Sequence, residues 1–279
     1  MNLSDYLQFW NEAINNLFVY PPVSSYPMNL GINIQKDFIP EPFMGNPDHF
    51  SFVIVNLNPG AGVCHSCFKQ QDVSGTFINK VKTLGYSNTV KDFPYLQDGK
   101  TVGLTDWDDS PGRIWWKGKE RWIKHILNIC DNTYAPDKPI PEGSFPFAME
   151  LFAWHTKEWP GTLNNKMKKT GQYGTDISNY VIEPLCDAII KSTCRLAVCV
   201  GKPIGEIIGS FGSFNKLNSN PIQPLPYIQR FYDIYYNKSD GYVINTWAPG
   251  GNTYPSEAFE QIEKDLFKNY IKSRTMIAP

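Results

Sequence analysis

No stretch of this 279-residue chain approaches the ~18 consecutive apolar residues that a membrane-crossing helix requires. Internal repeats and low-complexity tracts are missing as well. So is a surplus of charge of one sign: 26 Lys and Arg stand against 27 Asp and Glu, a formal net charge of −1. Any polyanionic partner is therefore met by a local patch, because the global field offers no attraction. Cysteines number six, too few and too scattered for a disulfide framework, and reduced thiols in a cytoplasmic protein are expected. Cys64 and Cys67 enclose His65 in a CxxC, but no second pair completes a metal site, so neither metal nor cofactor is expected. The first residues, MNLSDYLQFWNEAINNLF, carry acids and lack the basic start and cleavage site of a signal peptide.

What the chain does have is apolar material: 42% hydrophobic residues, 14% aromatic, and 22 prolines, the composition of a buried core wrapped by irregular loops. The pattern predicts a helix over 3–18 capped by Ser4, then a Pro-rich stretch to residue 50. Apolar runs at 51–57, 145–154 and 195–200 read as buried strands. Further strands are expected at 231–236 and 242–247, and helices at 75–84, 113–130, 176–191, 204–211 and 256–272. Residues 86–112 are turn-rich and form a long excursion. Strands alternating with helices imply an α/β fold, a three-layer α/β/α sandwich around a mainly parallel central sheet. No linker divides the chain. It reads as one domain over 1–279, with an N-terminal helical and Pro-rich extension (1–50) and an inserted loop–helix region (86–130).

Three strand ends carry the chemistry. The run 51–57 stops in Asn58-Pro59-Gly60, a turn that puts a polar side chain at a strand's carboxyl end, where ligands of open α/β sheets sit. The run 195–200 enters Gly201-Lys202-Pro203, and 242–247 enters Ala248-Pro249-Gly250-Gly251-Asn252. In PFAMELFAWH, Glu150 interrupts an apolar strand and needs a partner, either a Lys or Arg in a structural ion pair or a ligand. His155 closes that segment, either turned inward or capping at the surface.

The order and spacing of LNPG, VCVGKPIGEII and VINTWAPGGN resemble the uracil-DNA glycosylase superfamily, particularly its mismatch-specific thymine/uracil branch. The resemblance runs from about 51 to 267 and implies a DNA glycosylase of uracil-DNA-glycosylase-like fold acting on a flipped-out, damaged or modified pyrimidine. Asn58 falls where the family positions water; its alternative is a cap within its own loop. Gly60 stands where strict uracil enzymes place a Tyr, leaving room for a 5-substituent, or is there for its backbone freedom. Glu150 falls where an Asn reads the base edge, and a carboxylate there suits a cytosine-type amine. Phe68, or Phe77, would stack on the base. Ala248 stands where many members keep a His that stabilises the departing base, and an inward His155 would substitute for it. Asn252 and Tyr254 lie in the region from which the family wedges into the duplex.

Backbone contacts fall to Lys202 and to a basic–aromatic segment that includes Arg113, Trp115, Lys117, Arg121 and Trp122. The alternative is a solvated helix packing its Trp side inward. The partner expected is DNA, not a membrane, and the protein is expected to be a monomer. Two other readings stay open. One is a catalytically inactive DNA- or protein-binding member of the fold; the other is a nucleoside or nucleotide hydrolase with 86–112 as a lid.

Overall fold

The structure, a computed structural model, describes residues 1–17, 38–57, 77–91, 96–97, 100–101, 119–131, 133–141, 143–156, 159, 161–224, 226–227, 229–237, 241–249 and 260–272. In Leu3–Leu17 (α1), Leu3, Tyr6, Trp10 and Ile14 recur at helical spacing and all are buried. Asn2, rather than Ser4, supplies the cap: its Oδ1 accepts from the Asp5 N–H at 2.9 Å. Phe43–Met44 (β1) and Val53–Asn56 (β2) follow, then helices Phe77–Leu84 (α2) and Tyr86–Val90 (α3). A short hairpin pairs Leu96–Gln97 (β3) with Lys100–Thr101 (β4), and Glu120–Cys130 (α4) leads to Phe147–Glu150 (β5).

Thr162–Met167 (α5) precedes Gly174–Ile177 (α6), which runs through a π turn, Ser178–Ile182, into Glu183–Lys191 (α7). Leu196–Val200 (β6) turns into Lys202–Ile208 (α8). Phe214–Lys216 (β7), Phe231–Asn237 (β8) and Gly241–Trp247 (β9) complete the strands, and Glu260–Leu266 (α9) continues into a π stretch, Phe267–Lys272. The expected strands and helices each have a counterpart, with β1, α3, β3, β4, α5 and β7 added and the ends trimmed.

Among the described residues, seven strands form one mixed sheet in the order β1-β5-β2-β6-β9-β8-β7. Its centre, β5-β2-β6-β9, is parallel, while β1, β8 and β7 are joined antiparallel to their neighbours. Val53, Ile54 and Val55 of β2 are all buried, as expected for a strand covered on both sides. One core cluster takes Val53, Val55, Met149 and Cys199 with side chains of α1, α2, α3, α7 and α8. The other takes Ile54, Ala148, Val198 and Ile244 with α4 and α9. Chain order therefore runs from β2 outward to β5, then back across to β6 and on to β9. The direction of winding reverses between β2 and β6, which makes the carboxyl ends of those two strands the topological switch point.

The edge strand β1 is tied down by side chains. Tyr6 donates its hydroxyl to the Pro42 carbonyl, Tyr86 donates to the Phe43 carbonyl, both at 2.9 Å, and the Gly45 N–H reaches the Val90 carbonyl. Two glycines are required where they stand. Gly201 joins β6 to α8 at φ 142, a left-handed backbone that a side chain strains. Gly205 lets α8 lie against β9: a Cβ there would meet Asn245 Nδ2 at 2.3 Å, and Asn245 is fully enclosed. Gly205→Ala is thus expected to lower stability by about 1–3 kcal/mol through overpacking, read as a lower urea midpoint at unchanged m-value. An unchanged midpoint would show that α8 moves aside freely.

Candidate functional site

The last residues of β2 and β5, Asn56 and Glu150, stand opposite each other in the parallel ladder. Strand alternation turns both to the face of Ile54 and Ala148. Asn56 Nδ2 donates to Glu150 Oε1 at 2.8 Å. Glu150 Oε2 is enclosed and has no hydrogen-bond partner among the described residues. Burial pushes the carboxyl's pKa well above the ordinary carboxylate range; the Asn56 hydrogen bond pulls it down, and like charge on Glu41 adds to the rise. In its neutral form a carboxyl donates through one oxygen and accepts through the other. The partner of this strand-borne acid is an amide, not the Lys or Arg of a structural ion pair.

The chain stays in the sheet beyond Glu150. Leu151 and Phe152 donate their N–H groups to the Asn56 and Leu57 carbonyls at 2.9 and 3.0 Å, and the Glu41 N–H reaches the Ala153 carbonyl at 2.8 Å. These bonds carry His155 to the carboxyl edge, turned inward and 2% exposed, with Nε2 3.1 Å from Glu41 Oε1. His155 Nδ1 is enclosed and lacks a hydrogen-bond partner among the described residues. Tyr86, also fully buried, has its pKa raised first by burial and then by Glu41, Tyr6 and Glu150, so both acids act on one electrostatic neighbourhood.

Lys202 opens α8 with its ammonium exposed, 5.2 Å from the centroid of the Trp247 ring and 3.8 Å from Glu206 Oε1. Trp247 stacks on Phe231, its cross-strand partner, at 4.4 Å. Arg121 is exposed on α4, its Nε 3.2 Å from Glu260 Oε1. Trp122 and Ile126 of the same helix are core residues, and Lys119 at its start is buried, with its pKa lowered to about 7 by desolvation. On that side of the sheet Arg230 donates to Thr246 Oγ1 at 3.3 Å and Tyr232 to Glu263 Oε1 at 3.4 Å. Asn58, Gly60, Phe68, Arg113, Lys117, Asn252 and Tyr254, with Cys64 and Cys67, lie outside the described residues.

The structure thus brings Glu150 and His155 to the carboxyl edge of β5 and puts Lys202 on the first turn after β6, with Arg121 on the helix across the sheet. Sequence reasoning missed Asn56 and Glu41. Asn56 was legible as the polar residue that ends VIVN; Glu41 lies between prolines, where no periodicity places it. Among the described residues no cluster of His, Cys, Asp and Glu could hold a metal ion. The four described cysteines, Cys130, Cys186, Cys194 and Cys199, are free, and burial pushes the Cys186 thiol up to about 11. A depression of about 530 Å³, lined by Met1, Asn2, Glu183 and Asn237 among others, opens at the other end of the sheet, and nothing in it bears on this edge.

The raised pKa of Glu150 has a consequence for stability. Between the ordinary value of 4.5 and the higher folded value, the unfolded chain has released the proton and the folded chain keeps it. The stabilisation from Glu150 is therefore complete below pH 4.5 and is lost as pH rises through the folded value. Glu150→Gln, which does not titrate, should lose less stability between pH 5 and 8 than the native chain does. Urea midpoints of both proteins across that range check this, and parallel pH profiles would refute it.

No family model matches the chain, and no solved structure matches it. A partial likeness exists to the mouse (Mus musculus) NACHT, LRR and PYD domains-containing protein 9C, 31% identical over 85 residues, covering 28% of this chain and 8% of that protein. The chain thus spans about 8% of that protein's length, and the likeness carries no family assignment.

Proposed function

We propose that the chain is a DNA glycosylase that hydrolyses the N-glycosidic bond of a damaged or modified pyrimidine: uracil or thymine in a mismatch, or a 5-substituted cytosine-type base. The observation that carries this reading is the Asn56–Glu150 couple at the carboxyl edge of β2 and β5, with Glu150 Oε2 enclosed and unbonded among the described residues. In this reading the sheet and its covering helices form a three-layer α/β/α sandwich of the uracil-DNA-glycosylase kind. It is a single cytoplasmic domain acting as a monomer on DNA.

Excision requires a base turned out of the stack, a group that reads its edge, and a water behind the sugar carbon. Glu150 reads the edge. In its neutral form one oxygen donates to a ring nitrogen or carbonyl while the other accepts from an N–H; in its ionised form it accepts only and favours an exocyclic amine. Asn56 holds Oε1 in place, which leaves Oε2 to the ligand. Asn58 orients the water, and it follows directly on Leu57, whose carbonyl is anchored to Phe152 beside the Glu150 strand. Gly60 admits a 5-substituent and Phe68 stacks on the ring. Lys202, Arg113, Lys117 and Arg121 meet phosphates, while Asn252 and Tyr254 enter the duplex.

Ala248 favours a second reading, a DNA-binding protein without catalysis, because the side chain that would stabilise the departing base is missing there. Duplexes carrying uracil, a thymine mismatch or 5-substituted cytosines separate the two. The purified chain should release base from at least one of them, with Asn58→Ala lowering the single-turnover rate by about 100-fold or more. Glu150→Gln should shift preference toward uracil-type bases. Salt-sensitive binding of every duplex with no base released would establish the binding reading in its place.

A further inference from the structure

Glu41 and His155 meet at the carboxyl edge from segments 114 residues apart, and both side chains are buried, 6% and 2% exposed. An ionised carboxylate only accepts hydrogen bonds. Against an ionised Glu41, the 3.1 Å contact from Oε1 to Nε2 puts a ring proton on Nε2. In the neutral ring that is the single proton, and Nδ1 then carries a lone pair. That atom is enclosed and has no partner among the described residues. Leaving a buried acceptor unbonded is unfavourable, which points to a ligand proton arriving there. Exclusion from bulk water also keeps the lone pair from being engaged by solvent.

The surroundings fit the role. Residues 150–153 are clamped between the segment around Glu41 and the end of β2, so His155 is held on the same stretch of chain as Glu150. The Phe38 ring packs beside the imidazole at 5.7 Å, and among the described residues Glu150, Tyr86 and Tyr6 are further titratable groups at this edge. An amide such as Asn58 orients a water but takes no proton from it at neutral pH, so hydrolysis at this site needs a separate proton acceptor.

We propose that His155 is the general base of the site, acting through Nδ1, and that Glu41 is the residue that positions it. The assignment rests on the glycosylase reading for its substrate. Nδ1 takes a proton from the attacking water, whose oxygen bonds to the sugar's anomeric carbon. The bond from that carbon to the base nitrogen breaks, and its electron pair leaves with the base. The proton then passes from Nδ1 to the departing base, which restores the neutral imidazole. Glu41 faces the imidazolium while it exists and fixes the ring's tautomer before and after, the division of labour of a carboxylate–imidazole couple. His155 in this arrangement does not start as the donor that replaces the side chain missing at Ala248, since its one ring proton is held by Glu41.

Two measurements on the full chain test this. Long-range proton–nitrogen correlation of histidine-labelled protein should find Nε2 protonated and Nδ1 bare. Single-turnover excision by His155→Gln should fall by about 100-fold and lose the low-pH limb of the rate profile. Glu41→Gln should give a smaller fall and a second tautomer in the spectrum, with thermal unfolding confirming that both variants are folded. A protonated Nδ1 in the native chain overturns the proposal, as does a folded His155→Gln variant with native rate and pH profile. A native chain with bare Nδ1 that releases no base from any duplex refutes the glycosylase reading and leaves the Glu41–His155 tautomer as assigned.

Discussion

Hydrogen bonding of β2 on both of its edges, to β5 on one side and β6 on the other, is the constraint from which the rest of the site follows. Val53, Ile54 and Val55 pair in sequence with Phe147, Ala148 and Met149, and with Ala197, Val198 and Cys199. Because side chains alternate with a period of two, a slip of one residue would exchange the two faces of the strand and carry Asn56 away from Glu150. Burial on both faces makes that slip costly, since every inner residue of β2 is matched to a packed neighbour. Parallel neighbours also need long crossovers, and this is how residues as distant as 41, 56, 150 and 155 come to one edge.

Much of the fold is legible in the chain because its signals are strong and local. The apolar runs at 195–200 and 242–247 are short, β-branched and bounded by turn residues, and α1 carries a clear helical stripe. What escapes has a physical reason. β1 is two residues long in a Pro-rich stretch, too short for any period, and it is defined by Tyr6 and Tyr86 from outside. The π turn between α6 and α7 leaves apolar residues facing inward on both sides of it, so the sequence reads as one helix. At the site, Glu150 stands out as a carboxylate in an apolar strand. Its pairing with Asn56, and that of Glu41 with His155, do not, because both depend on tertiary register.

The near-neutral composition is realised as a surface of local pairs. Arg121 faces Glu260 and Lys168 faces Glu206. Exposed pairs of this kind are worth about 0–1 kcal/mol each, so a phosphate could exchange for a carboxylate at little loss. A polyanion would thus be met by rearranged side chains rather than by standing positive potential, and its binding would weaken steeply with salt.

The hydroxyls of Tyr6 and Tyr86, which reach the edge strand from α1 and α3, do more than tie it down. A sheet's outermost strand normally shows a row of open carbonyl and amide groups to any extended peptide that comes near. Here the Phe43 carbonyl is closed by the Tyr86 hydroxyl and the Gly45 N–H by the Val90 carbonyl, while two helices lie alongside. A visiting strand finds fewer open groups to pair with at that margin. The side of the sheet that brings Glu41 to His155 is thereby also made less able to recruit another chain by strand addition.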